Sequence, residues 1–335
     1  MQKNFDFQYK YTNMAQPRVG AKIISVTDDF FAPCERMLDP KPAVFISDKY
    51  DKNGKWMDGW ESRRKRVEGN DHCVVQLGHK SIIHGVDIDT SHFKGNHPSA
   101  ASIDACLSEN GVIDDDTTWV NILPVVDLNQ DSPHLFEVLD NHVFSHIRLN
   151  IFPDGGVARL RVYAEPACFW QEKDPTIELD LFSVENGGRA LVASHQGFGS
   201  SMLNLNLPGS GINMGDGWET ARRRTPGNEW VIIQLGHPGK INSIDIDTAF
   251  YKGNFPDQIS IQAGYCENNN LKSIENQSLF WPTILQNQKL SMDCIQRFDK
   301  ELDTQKTISH LRVNIHPDGG ISRIRVNGFF DPDIK

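Results

Sequence analysis

No apolar run in the 335-residue chain approaches the ~20 residues that a bilayer-spanning helix needs. The opening stretch, MQKNFDFQYKYTNMAQP, lacks the continuous apolar core of a secretory signal. Cysteine is sparse and irregular. Cys34, Cys73, Cys106, Cys168, Cys266 and Cys294 show no CxxC pair and no short regular spacing, which reads as reduced thiols, several of them buried. Basic residues are in deficit: 34 Lys and Arg against 44 Asp and Glu leave a net charge of −10. That balance argues against a nucleic-acid partner, which needs clustered cations on one face, but leaves room for one small anion held by a few arginines. HExxH, a GxSxG elbow, a glycine-rich phosphate cradle and a Ser-His-Asp order are all missing. No redox cofactor or nucleotide is expected. The C-terminal Pro332-Asp333-Ile334-Lys335 is not an SKL-type address, so the expectation is a soluble cytoplasmic protein with no membrane partner.

What the sequence does contain is itself, twice. Asp58 to Pro98 reads DGWESRRKRVEGNDHCVVQLGHKSIIHGVDIDTSHFKGNHP, and 158 positions later DGWETARRRTPGNEWVIIQLGHPGKINSIDIDTAFYKGNFP runs from Asp216 to Pro256. Without a gap, 21 of these 41 positions are identical. A second block repeats at a shift of 164, HIRLNIFPDGGVARLRV from His146 and HLRVNIHPDGGISRIRV from His310. A period this long means a duplicated domain and not a solenoid, whose units run ~20–50 residues.

The local signals are strands. CVVQL and VIIQL are β-branched and are followed by Gly78-His79 and Gly236-His237, read as closing turns. VDID and IDID alternate apolar and acidic residues with period two. HIRLNI and ARLRVYA around Pro153-Asp154-Gly155-Gly156 look like a hairpin. No segment sustains helical periodicity over three turns. The expected fold is all-β, two tandem jelly-roll β-sandwiches of the same design. The expected division is an N-terminal extension 1–19, a first repeat 20–167, a linker 168–180 and a second repeat 181–335. A homo-oligomer is compatible with sandwiches that have polar ends.

Three repeated polar clusters are candidates for chemistry. The first is Asp58, Glu61, Arg63, Arg64 and Arg66, matched by Asp216, Glu219, Arg222 and Arg224. A carboxylate beside planar guanidinium forks suits an anionic, urea-like substrate; the same residues could instead cap a turn and pair with acidic neighbours. The second holds Asp89, Thr90, His92, Lys94, Gly95 and Asn96, matched by Asp247, Thr248, Lys252, Gly253 and Asn254, with Phe250 in the place of His92. A tight loop presenting a cation and an amide could stabilise developing negative charge, and His92 could act as an acid or base near neutral pH. The third is Arg148, Asn150, Arg159 and Arg161 with Arg312, Asn314, Arg323 and Arg325; cross-strand pairing with the Asp87/Asp89 stripe explains it without a ligand. A metal fits poorly. His79, His84, Asp87, Asp89, His92 and His97 fall within 19 residues, but the second copy keeps only His237, Asp245 and Asp247.

These motifs, DGWE(S/T)xRxR, GNxxxxxQLG, DIDTxxxKGNxP and HxRxNIxPDGGxxRxR, each present twice, resemble the allantoicases of purine breakdown. The likeness covers roughly Gly20 to Gly328. It implies a tandem galactose-binding-like jelly roll that hydrolyses allantoate to ureidoglycolate and urea. Breaking that carbon–nitrogen bond needs a base for water and a proton for the leaving nitrogen. On this basis Glu61 or Asp89 is the candidate base, and His92 or Lys94 the proton donor or electrostatic stabiliser. Arg64 or Arg66 would clamp the substrate carboxylate, and Asn96 a ureido carbonyl. Glu219, Arg222, Arg224, Lys252 and Asn254 would serve the second copy. Its departures, Ala221 for Arg63 and Phe250-Tyr251 for His92-Phe93, bear on whether it is an independent active site. The competing readings are a non-enzymatic sandwich that binds carbohydrate on Trp60 and Trp218, and a metal-dependent amidohydrolase.

Overall fold

The protein is described from a computed structural model that covers residues 5–267, 270–303 and 306–334. The chain divides into two compact units, Met1–Ala167 and Cys168–Lys335. Each is a β-sandwich built on one antiparallel eight-stranded sheet.

In the first unit the sheet is organised around a 19-residue strand, Asp71–Asp89. Its first half pairs with Val143–Phe152 and with Lys22–Val26. Its second half pairs with Arg159–Pro166 and with Leu135–Glu137. One strand thereby passes from one layer of the sandwich to the other. Ala100–Cys106 and Val120–Asp127 extend the first layer, and Thr12–Asn13 extends the second. The second unit repeats this plan around Glu229–Asp247, with partners Ile308–His316, Arg189–Ala193, Arg323–Phe330 and Ile295–Phe298.

The period-two pattern explains the core. Val75, Val86, Ile88, Ile103, Ile147, Leu149, Leu160 and Val162 are all fully buried in the first unit. Val231, Ile233, Ile244, Ile246, Ile261, Leu311, Val313 and Val326 are among those that form a single cluster in the second. At ~25 cal/mol per Å² of apolar surface, this burial is the main favourable term holding each unit together.

Two local expectations are corrected. Gly78-His79 and Gly236-His237 are not turns; the strand continues through them with a register shift. Gly78 is needed there because a Cβ would collide with the Val19 carbonyl. The PDGG segment does not close a hairpin either. Val143–Phe152 and Arg159–Pro166 do not pair with each other but flank the long strand, and Gly156–Val157 turns aside to pair with Trp60–Glu61.

Residues 12–13 of the segment read as an N-terminal extension pair with Arg159–Pro166, and Phe7 packs under Gly85. Within the segment read as a linker, Trp170 is buried against His237 and Phe330, and Leu179–Asp180 pairs with Arg323–Phe330. No helix among the described residues is long and apolar enough to cross a membrane.

Candidate active site

Alternation along Trp60–Glu61 buries the indole completely and turns the carboxylate toward the outside. The strand is fixed on both edges. Glu61 pairs with Gly156 on one side and bridges to Ala32 on the other. The Trp60 indole N–H donates to the Asp28 carbonyl at 2.8 Å. Gly156 is required because a Cβ there would enter the Phe93 ring, and Gly155 takes φ 137°, a conformation that favours glycine. The Gly156 N–H donates to the Asn96 carbonyl at 2.7 Å, which ties the Lys-Gly-Asn loop to the same turn.

These restraints bring Asn96 to Glu61: Asn96 Nδ2 donates to Glu61 Oε1 at 2.7 Å. Glu61 is half-buried, and burial raises its carboxyl above the ordinary glutamate range while the Asn96 hydrogen bond opposes that rise. A carboxyl whose charged form is disfavoured in this way takes up a proton more readily than an exposed glutamate, as a general base must.

The rest of the loop is set by a residue that sequence reasoning missed. Asp131 Oδ1 accepts from the His92 backbone N–H at 2.7 Å and holds it at φ 71°. Asp131 Oδ2 lies 3.3 Å from Lys94 Nζ. The Lys94 side chain is 73 % exposed, which leaves it open to a ligand. His92 Nε2 lies 3.2 Å from the Ala43 carbonyl, and its ring stacks on Phe45. Asp89 is used differently. It is buried, accepts from the Ser91 N–H at 2.8 Å and lies 3.7 Å from Arg161, so it shapes the start of the loop.

The Arg-rich segment divides by alternation. Arg63 pairs with Asp28 at 2.6 Å, and Lys65 pairs with the buried Asp71 at 2.7 Å. Arg64 and Arg66 are exposed and line a cleft of about 620 Å³ together with Thr27, Asp28, Phe31 and Val67.

The third cluster is structural, but its partners differ from those expected. Arg161 does pair with Asp87 across the strands at 2.7 Å. Arg148 pairs with Asp104, and Asn150 donates to Asp104 and Ser102. Arg159 is buried, bound to the Asp58 carboxylate at 2.6 Å and to the carbonyls of Arg36, Lys41, Asp58 and Ala158.

The second unit keeps the frame. Asn254 donates to Glu219 at 2.5 Å, Lys252 lies 3.4 Å from Asp293, and Arg222 and Arg224 are exposed. Phe250 holds φ 71° on Asp293, as His92 does on Asp131. The differences are chemical. Tyr251 replaces Phe93 and donates to the Met214 carbonyl. Where Asp28 receives Arg63, His195 Nδ1 accepts from the Ala221 N–H at 3.1 Å. Trp60 and Trp218 are both fully buried with their indole N–H groups bonded to carbonyls, so neither offers a platform to a sugar.

A half-buried carboxylate held by an amide from the Lys-Gly-Asn loop, followed in the chain by exposed arginines and repeated on two duplicated sandwiches, defines a candidate polar-ligand site on a tandem β-sandwich protein. Comparison with known proteins narrows the class. The allantoicase repeat model matches residues 12–167 and again 179–331. The chain is 53% identical over 329 residues to the Photobacterium profundum protein named "Probable allantoicase", covering 98% of this chain and 99% of that one. It is 51% identical over 326 residues to "Probable allantoicase 1" of Burkholderia mallei, covering 97% and 96%. The crystal structure of allantoicase from Saccharomyces cerevisiae superposes with a TM-score of 0.79 at 33% identity, covering 95% of this chain and 93% of that one. The chain belongs to the allantoicase family.

Proposed function

We propose that this chain is an allantoicase, a hydrolase that converts allantoate and water to ureidoglycolate and urea. The observation that carries the reading is the Glu61–Asn96 pair, in a chain whose relatives at about half identity carry the same name. In the proposed reaction a water proton passes to the Glu61 carboxylate as the water oxygen bonds to the substrate's central carbon. The carbon–nitrogen bond to one ureido group breaks, and a proton completes the departing urea. Asn96 fixes the orientation of Glu61, and its amide suits a ureido carbonyl. Lys94 and His92, on the same loop, supply positive charge or the proton for the leaving nitrogen. Arg64 and Arg66 hold the substrate carboxylate as bidentate forks. Asp89 positions the loop through Ser91 and takes no proton in this scheme. In the second unit, Glu219, Asn254, Lys252, Arg222 and Arg224 form a related substrate-binding set. The reading places the action on allantoate in the cytoplasm; the net charge of −10 speaks against a nucleic-acid partner, no helix among the described residues is long and apolar enough to cross a membrane, and a homo-oligomer is compatible with it.

Purified chain treated with a chelator and incubated with allantoate should release urea. No release would overturn the reading, and release only on adding a divalent ion would favour a metal-dependent amidohydrolase. Glu61→Gln should lower kcat by at least 10²-fold, the scale of positioned acid–base catalysis, with the unfolding temperature nearly unchanged. Glu219→Gln should retain most of the activity, because its unit lacks the His92 and Arg63 counterparts.

A further inference from the structure

The turn that carries Asp131 is itself held by an imidazole that the proposed reaction does not use. His134 Nδ1 lies 2.9 Å from the Ile88 carbonyl, which can only accept, so Nδ1 carries the proton. The Asn129 backbone N–H, which can only donate, meets Nε2 at 2.8 Å. Together the two contacts leave one state of the ring, the neutral Nδ1–H tautomer. The ring is half-buried and stacks on Phe136, and the His134 backbone exchanges two hydrogen bonds with Ile88 of the long strand. The Asn129–Nε2 bond thus closes a turn in which Asp131 stands at φ 52°. Thr90 fastens the same turn, its hydroxyl donating to the Asn129 carbonyl at 2.6 Å.

The second repeat closes the equivalent turn with a different residue. Gln296 follows Ser291 by five positions, as His134 follows Asn129, and its Oε1 accepts from the Ser291 backbone N–H. Thr248 donates to the Ser291 carbonyl at 2.7 Å, and Asp293 stands at φ 51°. Two unlike side chains supply one acceptor to one backbone amide, which marks that bond as the feature the turn requires. The first repeat makes it with a lone pair that a proton can occupy; the glutamine carbonyl has no such second state.

We propose that His134 is a positioning residue for the first repeat's site: in its neutral form it holds the turn whose Asp131 sets His92 and Lys94, and proton uptake at Nε2 releases that turn. The inference rests on the reading of Glu61, Asn96, His92 and Lys94 as a hydrolytic site. A proton on Nε2 turns the acceptor into a donor that confronts the Asn129 N–H, so the closing bond is lost. Asp131 then no longer fixes the His92 N–H and Lys94 on the loop that also carries Asn96. Other charged and titratable groups surround the ring. Asp127 and Asp131 belong to its own stretch, the latter paired with Lys94. Asp6 and Tyr9 of the N-terminal segment line the same cavity of about 720 Å³, with Asp6 paired to Lys10. Asp87 and Asp89 of the long strand both lie against Arg161. A substitution confined to residue 134 leaves all of these in place, so a comparison with the wild type isolates the imidazole.

The test uses the full chain with His134→Gln, which installs the second repeat's residue, and His134→Ala, which supplies no acceptor. At pH 8 the His134 ring should show the nitrogen NMR signature of the Nδ1–H tautomer, assigned by its loss in His134→Gln. The Asn129 amide should exchange with solvent roughly tenfold faster in His134→Ala than in the wild type, and His134→Gln should restore its protection. With allantoate at pH 8, His134→Ala should lower kcat/KM roughly tenfold, and His134→Gln should recover it to within about twofold. Between pH 8 and pH 5 the ratio of His134→Gln to wild-type kcat/KM should rise about threefold or more, because histidine side chains gain charge over that span and glutamine does not. An Nε2–H tautomer, equal Asn129 exchange in all three proteins, equal kcat/KM in the two variants, or a ratio that stays flat with pH overturns the proposal. If the wild-type chain releases no urea, the hydrolytic reading fails and takes the catalytic half of the proposal with it. The tautomer and the amide exchange then still decide whether His134 holds the turn. If His134→Ala does not fold, the tautomer and the pH-dependent ratio with His134→Gln decide the matter.

Discussion

At Glu61 two opposing influences meet on one carboxyl group. Burial disfavours the charged form, and the Asn96 amide favours it. Their balance sets the pH at which the residue can accept a proton. Asn96→Ala removes the favourable contribution, so the Glu61 carboxyl should titrate at still higher pH. The acidic limb of the kcat profile should move upward accordingly. Unfolding by urea should hardly change, because the Asn96 side chain is exposed. A limb that stays in place would mean that another group governs it. Lys94 presents a different case: its pairing with Asp131 is largely solvated, so its value to the fold is small and its charge remains available to a ligand.

The elements that carry these residues are held by groups that do no chemistry. Arg159 is the clearest instance, a buried guanidinium that gathers the carbonyls of residues 36 and 41 and both oxygen types of Asp58 onto one strand end. Arg159→Met keeps much of the volume but leaves Asp58 and several carbonyls without their donor. It should cost about 3–5 kcal/mol, read as a fall in the urea midpoint with an unchanged slope. Duplicated motifs made Glu61, Asn96, Lys94 and Arg159 visible in the sequence, as did the alternation that places Trp60 inside. Their partners were hidden because they lie far along the chain in segments that the repeat does not mark. Asp131 is 39 residues from His92, and Asp104 is 44 from Arg148. The 19-residue strand was illegible for a related reason: Gly78-His79 has the composition of a turn, and it stays extended between paired stretches before and after it, with the Gly78 N–H donating to the Met14 carbonyl.

Over the whole molecule, both units keep a buried Ser-His pair, Ser145-His146 and Ser309-His310, with the hydroxyl against Nδ1 at 2.9 and 2.8 Å. Nε2 of each imidazole is buried without a hydrogen-bond partner among the described residues. Burial pushes His310 down to about 4, so the folded state favours the neutral ring. A depressed histidine contributes its full stability above the unfolded value near 6.5 and loses it as pH falls toward 4. The loss is on the order of 3 kcal/mol for the unit that contains it. Between pH 7 and 4 the wild-type urea midpoint should therefore fall further than that of His310→Gln, which cannot titrate. Parallel falls in the two proteins would contradict this.

The exchange of Asp28 and Arg63 for His195 and Ala221 carries an implication about the history of the two repeats. In each unit the side chain of the earlier residue accepts from the backbone N–H of the later one, so the turn geometry outlasts the change of partners. If the ancestral unit had the ion pair, the order of substitution was constrained. Losing the exposed arginine first would cost little, because the carboxylate still served the amide. Replacing the aspartate first would have set an imidazole against a guanidinium and penalised the chain whenever that ring was charged. From such an ancestor, the less costly route removes the surface charge before the anchoring acceptor changes identity.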